Sequence, residues 1–340
     1  MLKLRTALLG LALTLVASPG FAAEVEWTLG SSVGPQDPTT LALQELADRV
    51  ATKSGGRFEI EVIPIETIGF KNVDTMRVLQ QRVVDAMSIV PYYAVRDEPL
   101  MGVFAPHGVL IEPEQNLKIV DVQYEIGAEI LKTNWNFVQV SRSPFGALRD
   151  LVIMSKEPVN TLEGLRGLKF RHFTKDGLEA FNNLGVATQV VPSSELYLAL
   201  KTGVVDAAVY GPTYGQSQSI YEVTCCFSYL AAFSMAYPFS IAANEDTWAA
   251  VPDDLKTIFV TEADAMWQES VDQWAEGAAE KAAYEFLTTT GKMQMLNPVP
   301  LEDRQAIQAE LLKIWKTQAE ALGPTGASYY ERIVGALNAQ

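Results

Sequence analysis

Cysteine is nearly absent from this chain: two residues in 340, and these are neighbours, Cys225 and Cys226. The count rules out a conventional long-range staple. Adjacent Cα atoms sit about 3.8 Å apart, short of the usual disulfide span, so a bond between them needs a distorted peptide. Packed thiols are the alternative. Histidine is as scarce, His107 and His172 alone. Two separated imidazoles and one cysteine pair make no metal-ligand spacing, so neither a metal nor a cofactor is expected. No G-x-G-x-x-G turn and no Walker-type phosphate loop occurs, which excludes the common nucleotide sites. Basic residues are outnumbered, 26 Lys+Arg against 41 Asp+Glu, for a formal charge of −15. Such a chain does not track nucleic acid or an anionic membrane surface, and any anionic ligand must be held by local arginines against the global field. Beyond the amino terminus no apolar run is long enough to cross a bilayer, so stable membrane insertion is not expected.

What the amino terminus does have is the physics of a secretory signal. Lys3 and Arg5 make a basic start, Ala7 to Val16 an apolar core, and Gly20 and Ala22 the small residues of a cleavage site after Ala22. Removing 1–22 takes away two cations and no acid, so −15 − 2 = −17 for the mature chain. Export to the periplasm follows as an expectation.

Alternating patterns then run through the chain. Val25 to Gly30 reads as a strand, and Asp37-Pro38 as a helix start with a capping carboxylate. Leu43, Leu46, Ala47 and Val50 recur at helical spacing before the stop at Gly55-Gly56. Phe58 to Pro64 is the next strand, 72–82 a helix, and Val84 to Val90 a strand reaching Pro91-Tyr92-Tyr93. A helix to Thr133 and a strand from Phe137 to Ser141 follow, then Ser143-Pro144-Phe145-Gly146, the expected first crossing between two lobes. Tyr237 to Ala243 reads as a returning strand, Pro252 to Thr288 as one long helix, and 302–321 and 328–337 as closing surface helices. Leu79-x-x-x-Val83-Val84-Asp85-Ala86 is echoed by Leu200-x-x-x-Val204-Val205-Asp206-Ala207, an offset of 204 − 83 = 121. Chance and two lobes built alike both account for it.

The stretch from Leu162 to Tyr210 carries the chemistry. A strand from Leu168 to His172 ends on Arg171, a helix and a β-branched strand follow to Pro192, and a helix from Ser194 to Lys201 stops at Gly203. The strand VVDAAV then delivers Tyr210. Strand and helix alternation builds a parallel sheet, and ligands collect at the carboxyl ends of its strands. An arginine there, among aromatic and hydroxyl groups, suits a small anion.

These residues also carry a resemblance. G-L-K-F-R at 167–171 and E-L-Y-L-A-L-K-T-G-V-V-D-A at 195–207, with T-K-S-G-G-R-F-E-I-E-V-I-P at 52–64 and K-E-P-V-N-T-L-E-G-L-R-G at 156–167, resemble the DctP-like solute-binding proteins of TRAP transporters. The resemblance implies an α/β, bilobal periplasmic-binding-protein fold: two mixed-sheet lobes, a cleft and a long connecting helix. The division expected is 23–146 with about 231–272 in the first lobe, and 147–230 with about 273–340 in the second, the C-terminal helices packing across both. It implies a receptor, not an enzyme, that captures an organic acid and hands it to TRAP membrane subunits. Arg171 takes the family's carboxylate-binding position, and Arg149 a second cleft arginine, with Arg142 as rival. Metal-coordinating members carry an acid and a tryptophan after V-D-A, where this chain has Ala208, Val209 and Tyr210; that argues against a metal.

Tyr210, Tyr214, Phe70, Tyr92 and Tyr93 are the candidate cleft aromatics, and Ser31, Ser32 and Ser193 the candidate hydroxyls. Monocarboxylates, dicarboxylates, aromatic acids, sugar acids and sulfonates all fit an arginine fork. One enzymatic alternative stands beside the receptor. Gly30-Ser31-Ser32-Val33-Gly34 matches G-x-S-x-G between a strand and a helix, as in an exported serine hydrolase using Ser32.

Overall fold

Strand β1 (Val25–Ser31) and helix α1 (Pro38–Ser54) form as their residues dictate. Asp37 accepts the Thr39 amide at 2.8 Å, Pro38 takes the first turn, and Leu43, Leu46 and Val50 are fully buried. Gly55, at φ 66, supplies the left-handed residue that ends the helix. The protein is seen in a computed structural model that describes residues 23–112, 114–144, 149–233, 239–275 and 278–339. The expected signal segment, Phe145-Gly146 of the expected crossing and Tyr237 at the start of the returning strand lie outside the described residues.

The first sheet continues with β2 (Phe58–Pro64), helix α2 (Thr75–Gln80), β3 (Ala86–Ile89) and helix α3 (Pro91–Ala94). Helix α4 (Glu114–Trp135) leads to β4 (Phe137–Arg142). The order is β2-β1-β3-β10-β4, with β10 (Ser240–Asn244) antiparallel between β3 and β4. The helix expected over 72–82 is a single 3-10 turn at Asn72–Asp74 followed by α2, which stops where Arg82 turns left-handed at φ 57.

A second sheet holds β5 (Arg149–Ser155), β6 (Phe170–His172), β7 (Thr188–Val190), β8 (Ala207–Tyr210), β9 (Cys226–Phe233) and β11 (Gln294–Met295), in the order β11-β9-β5-β8-β6-β7. Helices α5 (Leu162–Leu165), α6 (Lys175–Asn183), α7 (Leu196–Thr202) and α8 (Pro212–Ser217) connect its strands. β6 is shorter than read from the sequence, because Leu168 still bonds back to Leu165 and Lys169 donates to the Asp206 carboxylate. Cys225 and Cys226 are joined as a vicinal disulfide at the start of β9.

The two sheets present matching edges to each other. β4 ends beside the start of β10 (Ser143 N–H to Phe239 O, 2.8 Å), and β5 starts opposite the end of β9 (Arg149 with Phe233). The carboxyl ends of β1 and β3 lie at the edge where β4 ends and β10 starts, and those of β6 and β8 at the edge where β5 starts and β9 ends. That arrangement places two rows of strand tips across one cleft.

The echoed segments occupy equivalent places. Asp85 N bonds Thr28 O at 3.0 Å while its carboxylate accepts Thr28 N at 2.8 Å; Asp206 N bonds Lys169 O at 2.8 Å and its carboxylate accepts Lys169 N at 3.2 Å. Leu79 and Leu200 are both fully buried, and α2–β3 and α7–β8 each feed a strand whose tip reaches the cleft. The two lobes share this unit.

After β10 come α9 (Glu245–Ala250), α10 (Asp253–Ala275) and α11 (Ala278–Thr289). The long helix expected over 252–288 is thus two described helices, and 276–277 lie outside the described residues. α10 packs on α1 and β4 of the first lobe, α11 on α8 of the second. α12 (Leu301–Ala321) and α13 (Gly323–Asn338) close the chain. α12 is more than a surface helix: Trp315 is buried and donates to Val103 O at 2.6 Å, while Gln318 donates to Asp176 of α6 at 2.7 Å. It bonds to both lobes. The main core includes Met76, Phe104 and Ile119 of the first lobe with Leu151 and Phe170 of the second; smaller cores lie under α1–α10 and under α7–α11.

Candidate functional site

Arg171 sits at the centre of the cleft edge, on the second-lobe side. Strand β6 is flanked by β8 and β7, so its tip is fixed by parallel pairing on both sides. The guanidinium has no solvent exposure. Its Nε donates to Val191 O at 2.9 Å, Nη1 to Val209 O at 2.9 Å, and Nη2 to Ser193 Oγ at 3.3 Å. Those three bonds use one proton on each nitrogen, and a guanidinium carries five. Among the described residues one N–H on each terminal nitrogen is left for a ligand oxygen. The Phe173 and Tyr210 rings lie at 5.6 and 5.5 Å from its central carbon, close enough for cation–π attraction.

No carboxylate among the described residues lies within ion-pair distance of Arg171, and burial lowers its pKa to about 10, only the Tyr210 phenol opposing the fall. It remains charged at neutral pH. A buried cation without a counter-ion is unfavourable, and the disfavour is relieved by an anion that takes the remaining N–H groups.

Around it stands an aromatic wall. Tyr214 is 5.8 Å from Tyr210, Phe173 stacks on His172 at 4.7 Å, and His107 approaches Phe173 at 5.2 Å from the first lobe. Tyr92 packs on Tyr93 at 4.4 Å and near Phe239 and His107. Tyr92 is 40% exposed, yet the atoms crowding its phenol raise it, with Tyr93 and Tyr214 adding to the effect. The Tyr210 phenol is raised by burial and held back by Ser193 and Arg171, and among the described residues its hydroxyl makes no hydrogen bond of ordinary geometry. Both histidines are buried, and desolvation lowers each to about 3. His172 accepts the Thr174 amide at Nδ1, 3.1 Å, as a neutral ring.

Of the residues expected from the sequence, Arg171, Ser193, Tyr210 and Tyr214 come together on one side of the cleft, and Tyr92 and Tyr93 meet them from the other. Phe70 packs partly buried against the main core. Ser31 is bonded to Thr40 at 2.7 Å and so turned into its own loop. Arg149 is the first residue of β5; its side chain lies outside the described residues. Arg142 is committed elsewhere, paired with Asp121 at 2.5 Å and stacked on Tyr124 and Trp267. Phe173 and His107, which stand in this aromatic wall, were missed. Phe173 had a signal, since it directly follows the strand tip; His107 had none beyond its turn.

The hydrolase reading of Ser32 is corrected. Ser32 is buried and its Oγ makes no hydrogen bond among the described residues, which include both histidines, so neither ring activates it. Among the described residues no group of three or more His, Cys, Asp and Glu is placed to hold a metal, and no helix is long and apolar enough to cross a membrane.

Comparison with known proteins agrees with the fold. The C4-dicarboxylate-binding periplasmic protein DctP of Rhodobacter capsulatus is 24% identical over 92% of both chains. A monocarboxylate 2-oxoacid-binding periplasmic protein of Nostoc is 25% identical over 70% of this chain, which spans 65% of that protein's length. Among solved structures, a Bordetella pertussis extracytoplasmic solute receptor binding pyroglutamic acid superposes with a TM-score of 0.71 at 18% identity, covering 93% of this chain and 100% of that one. A Chromohalobacter salexigens TRAP periplasmic solute-binding protein with bound d-glucuronate gives 0.72 at 21% identity, covering 91% and 99%. These relatives are binding receptors, not enzymes. The pattern of the bacterial extracellular solute-binding proteins, family 7, matches residues 29–321, and the chain belongs to that family, the DctP-like receptors of TRAP transporters.

Proposed function

We propose that this receptor captures one small organic acid anion in the cleft between its lobes, with Arg171 as the carboxylate anchor. The observation that carries the reading is the guanidinium itself: fully buried, without an acidic partner among the described residues, and with one N–H on each terminal nitrogen unused among them. Tyr210, Tyr214 and Ser193 line the anchor's own side, Tyr92 the opposite side, and Ser32 offers a further hydroxyl at the tip of β1. Closure of the lobes would strip water from the ion pair and strengthen it. Because Arg171 has no exposure here, the ligand enters a more open form and is retained by this one. The ligand leaves unaltered, handed to TRAP membrane subunits. Export through the 1–22 segment, cut after Ala22, puts the receptor in the periplasm; the intact mass of the exported protein checks the cut.

Relatives and neighbours named for 2-oxoacids, C4-dicarboxylates, pyroglutamate and glucuronate support an acid ligand without choosing one. The test is a thermal-shift screen with pyroglutamate, d-glucuronate, pyruvate, succinate, 4-hydroxybenzoate and methanesulfonate. A ligand at 100 times its Kd adds about 2.7 kcal/mol of stability. A clear rise with at least one acid is expected; a folded receptor indifferent to all of them refutes the reading.

A further inference from the structure

Phe173 directly follows the strand that carries Arg171, and its ring is held from two sides. It stacks on His172 at 4.7 Å and 15° in its own lobe and meets His107 of the first lobe at 5.2 Å. Both imidazoles are only 2% exposed. The His172 ring is itself confined, 5.9 Å from Phe181 and so close to Gly177 that a Cβ there would stand 2.1 Å away. Phe173 is therefore part of a preset wall that crosses from one lobe to the other. Beyond His107 the wall continues to Tyr92, 6.1 Å away, which packs on Tyr93.

What touches the anchor decides which acid suits it. The Phe173 ring at 5.6 Å and the Tyr210 ring at 5.5 Å lie within cation–π reach of the guanidinium carbon, and Tyr214 stands 5.8 Å from Tyr210. Among the described residues, neither a second cation nor a carboxylate bonds to Arg171, Ser193 or Tyr210. The Tyr210 hydroxyl, on a residue only 5% exposed, makes no hydrogen bond of ordinary geometry among them. A guest on Arg171 thus meets one cation, ring faces and the hydroxyls of Ser193 and Tyr210. A sugar acid brings several hydroxyls and a diacid a second charge, and both leave polar groups facing rings. A flat unsaturated ring leaves none and gains face or edge contacts.

Resting on the Arg171 anchor, we infer that the receptor selects an aromatic monocarboxylate, its carboxylate on the guanidinium and its flat ring against Phe173 and Tyr210. A benzoate-like acid carries its ring directly on its carboxylate, which matches protein rings 5.6 and 5.5 Å from the guanidinium carbon. The buried Tyr210 hydroxyl donates to a ligand oxygen. A saturated ring of the same carbon count is puckered and thicker, and it cannot stack on a wall fixed by two buried imidazoles. Burial of apolar area alone would favour the saturated ring, so a preference for the flat one is the signature of stacking.

Benzoate against cyclohexanecarboxylate is the matched pair, with d-glucuronate and terephthalate as the polyhydroxy and dianionic comparisons. Titration calorimetry on the full mature receptor should show benzoate tighter than each by about tenfold in Kd, about 1.4 kcal/mol. Phe173→Leu keeps an apolar side chain and removes the ring. It should bring the ratio within the matched pair to about twofold or less, by weakening benzoate and not the saturated acid. Where that variant fails to fold, the wild-type ratio alone decides. Equal or tighter wild-type binding of cyclohexanecarboxylate, d-glucuronate or terephthalate, or a ratio unmoved in folded Phe173→Leu, overturns the inference, as does a wild type that binds none of these acids. If the wild type prefers another acid and Arg171→Met abolishes its binding, the anchor stands and the ring wall falls. If Arg171→Met holds benzoate as the wild type does, the anchor is refuted and the inference with it.

Discussion

Replacing Arg171 by methionine separates what the guanidinium does for the fold from what it does for the ligand. Burial holds its pKa down at about 10, a disfavour for the charged form of about 3 kcal/mol relative to an exposed arginine. Methionine fills similar volume, removes the buried charge and frees the carbonyls of Val191 and Val209. Loss of those bonds costs about 1 kcal/mol each, so the unliganded variant should melt close to the wild type. With the best acid of the screen present, the two should diverge. The wild type gains a buried ion pair, and the variant should lose more than about 2 kcal/mol of binding. Arg171→Lys should rescue little, because an ammonium lacks the two-pronged edge. Melting curves with and without acid, and calorimetric Kd values, read both quantities. Binding by Arg171→Met within about threefold of wild type, under 1 kcal/mol, would refute the reasoning.

The buried histidines make a pH prediction. Each is held near 3 in the folded protein against about 6.5 when unfolded. The unfolded chain therefore binds more protons between those values, and stability falls as pH drops from about 6.5 toward 3, by up to about 1.4 kcal/mol per pH unit for each ring. Urea midpoints measured from pH 7 to 4 should fall less steeply in His107→Gln and His172→Gln than in wild type; parallel curves would contradict the neutral assignment. Gly177→Ala in α6 should also destabilise, because the added Cβ would stand 2.1 Å from the His172 ring. That ring is pinned against Phe173 and Phe181, so a loss of about 1–3 kcal/mol is expected in a denaturation curve, and an unchanged midpoint would show that the ring can move.

Local chemistry was legible where a residue's role depends on its neighbours in the chain. Asp37-Pro38 and Gly55 bound α1 as read, the burial of Leu43, Leu46 and Val50 follows from their spacing, and the motif around Arg171 placed it on a strand tip. The Val-Asp-Ala echo marked a unit used twice, and Asp85 and Asp206 make the same backbone bonds in each lobe. Boundaries were less legible. The helix over 72–82 broke at Arg82, whose left-handed backbone no side-chain pattern announces, and β6 lost its first residues to a turn closed by Asp206.

The amino-acid order by itself determined the strand and helix alternation, the buried faces and the presence of one arginine at a strand tip, because each follows from periodicity and near-neighbour sterics. Tertiary structure alone decided that this arginine has no carboxylate partner among the described residues, that Arg142 is taken up by Asp121, Tyr124 and Trp267, and that the Phe173 and Tyr210 rings flank Arg171. All but the Phe173 contact are relations between residues far apart in the chain. Electrostatic and solvation energies depend on through-space distance and on exclusion of water, and both come into being only when the two lobes fold against each other.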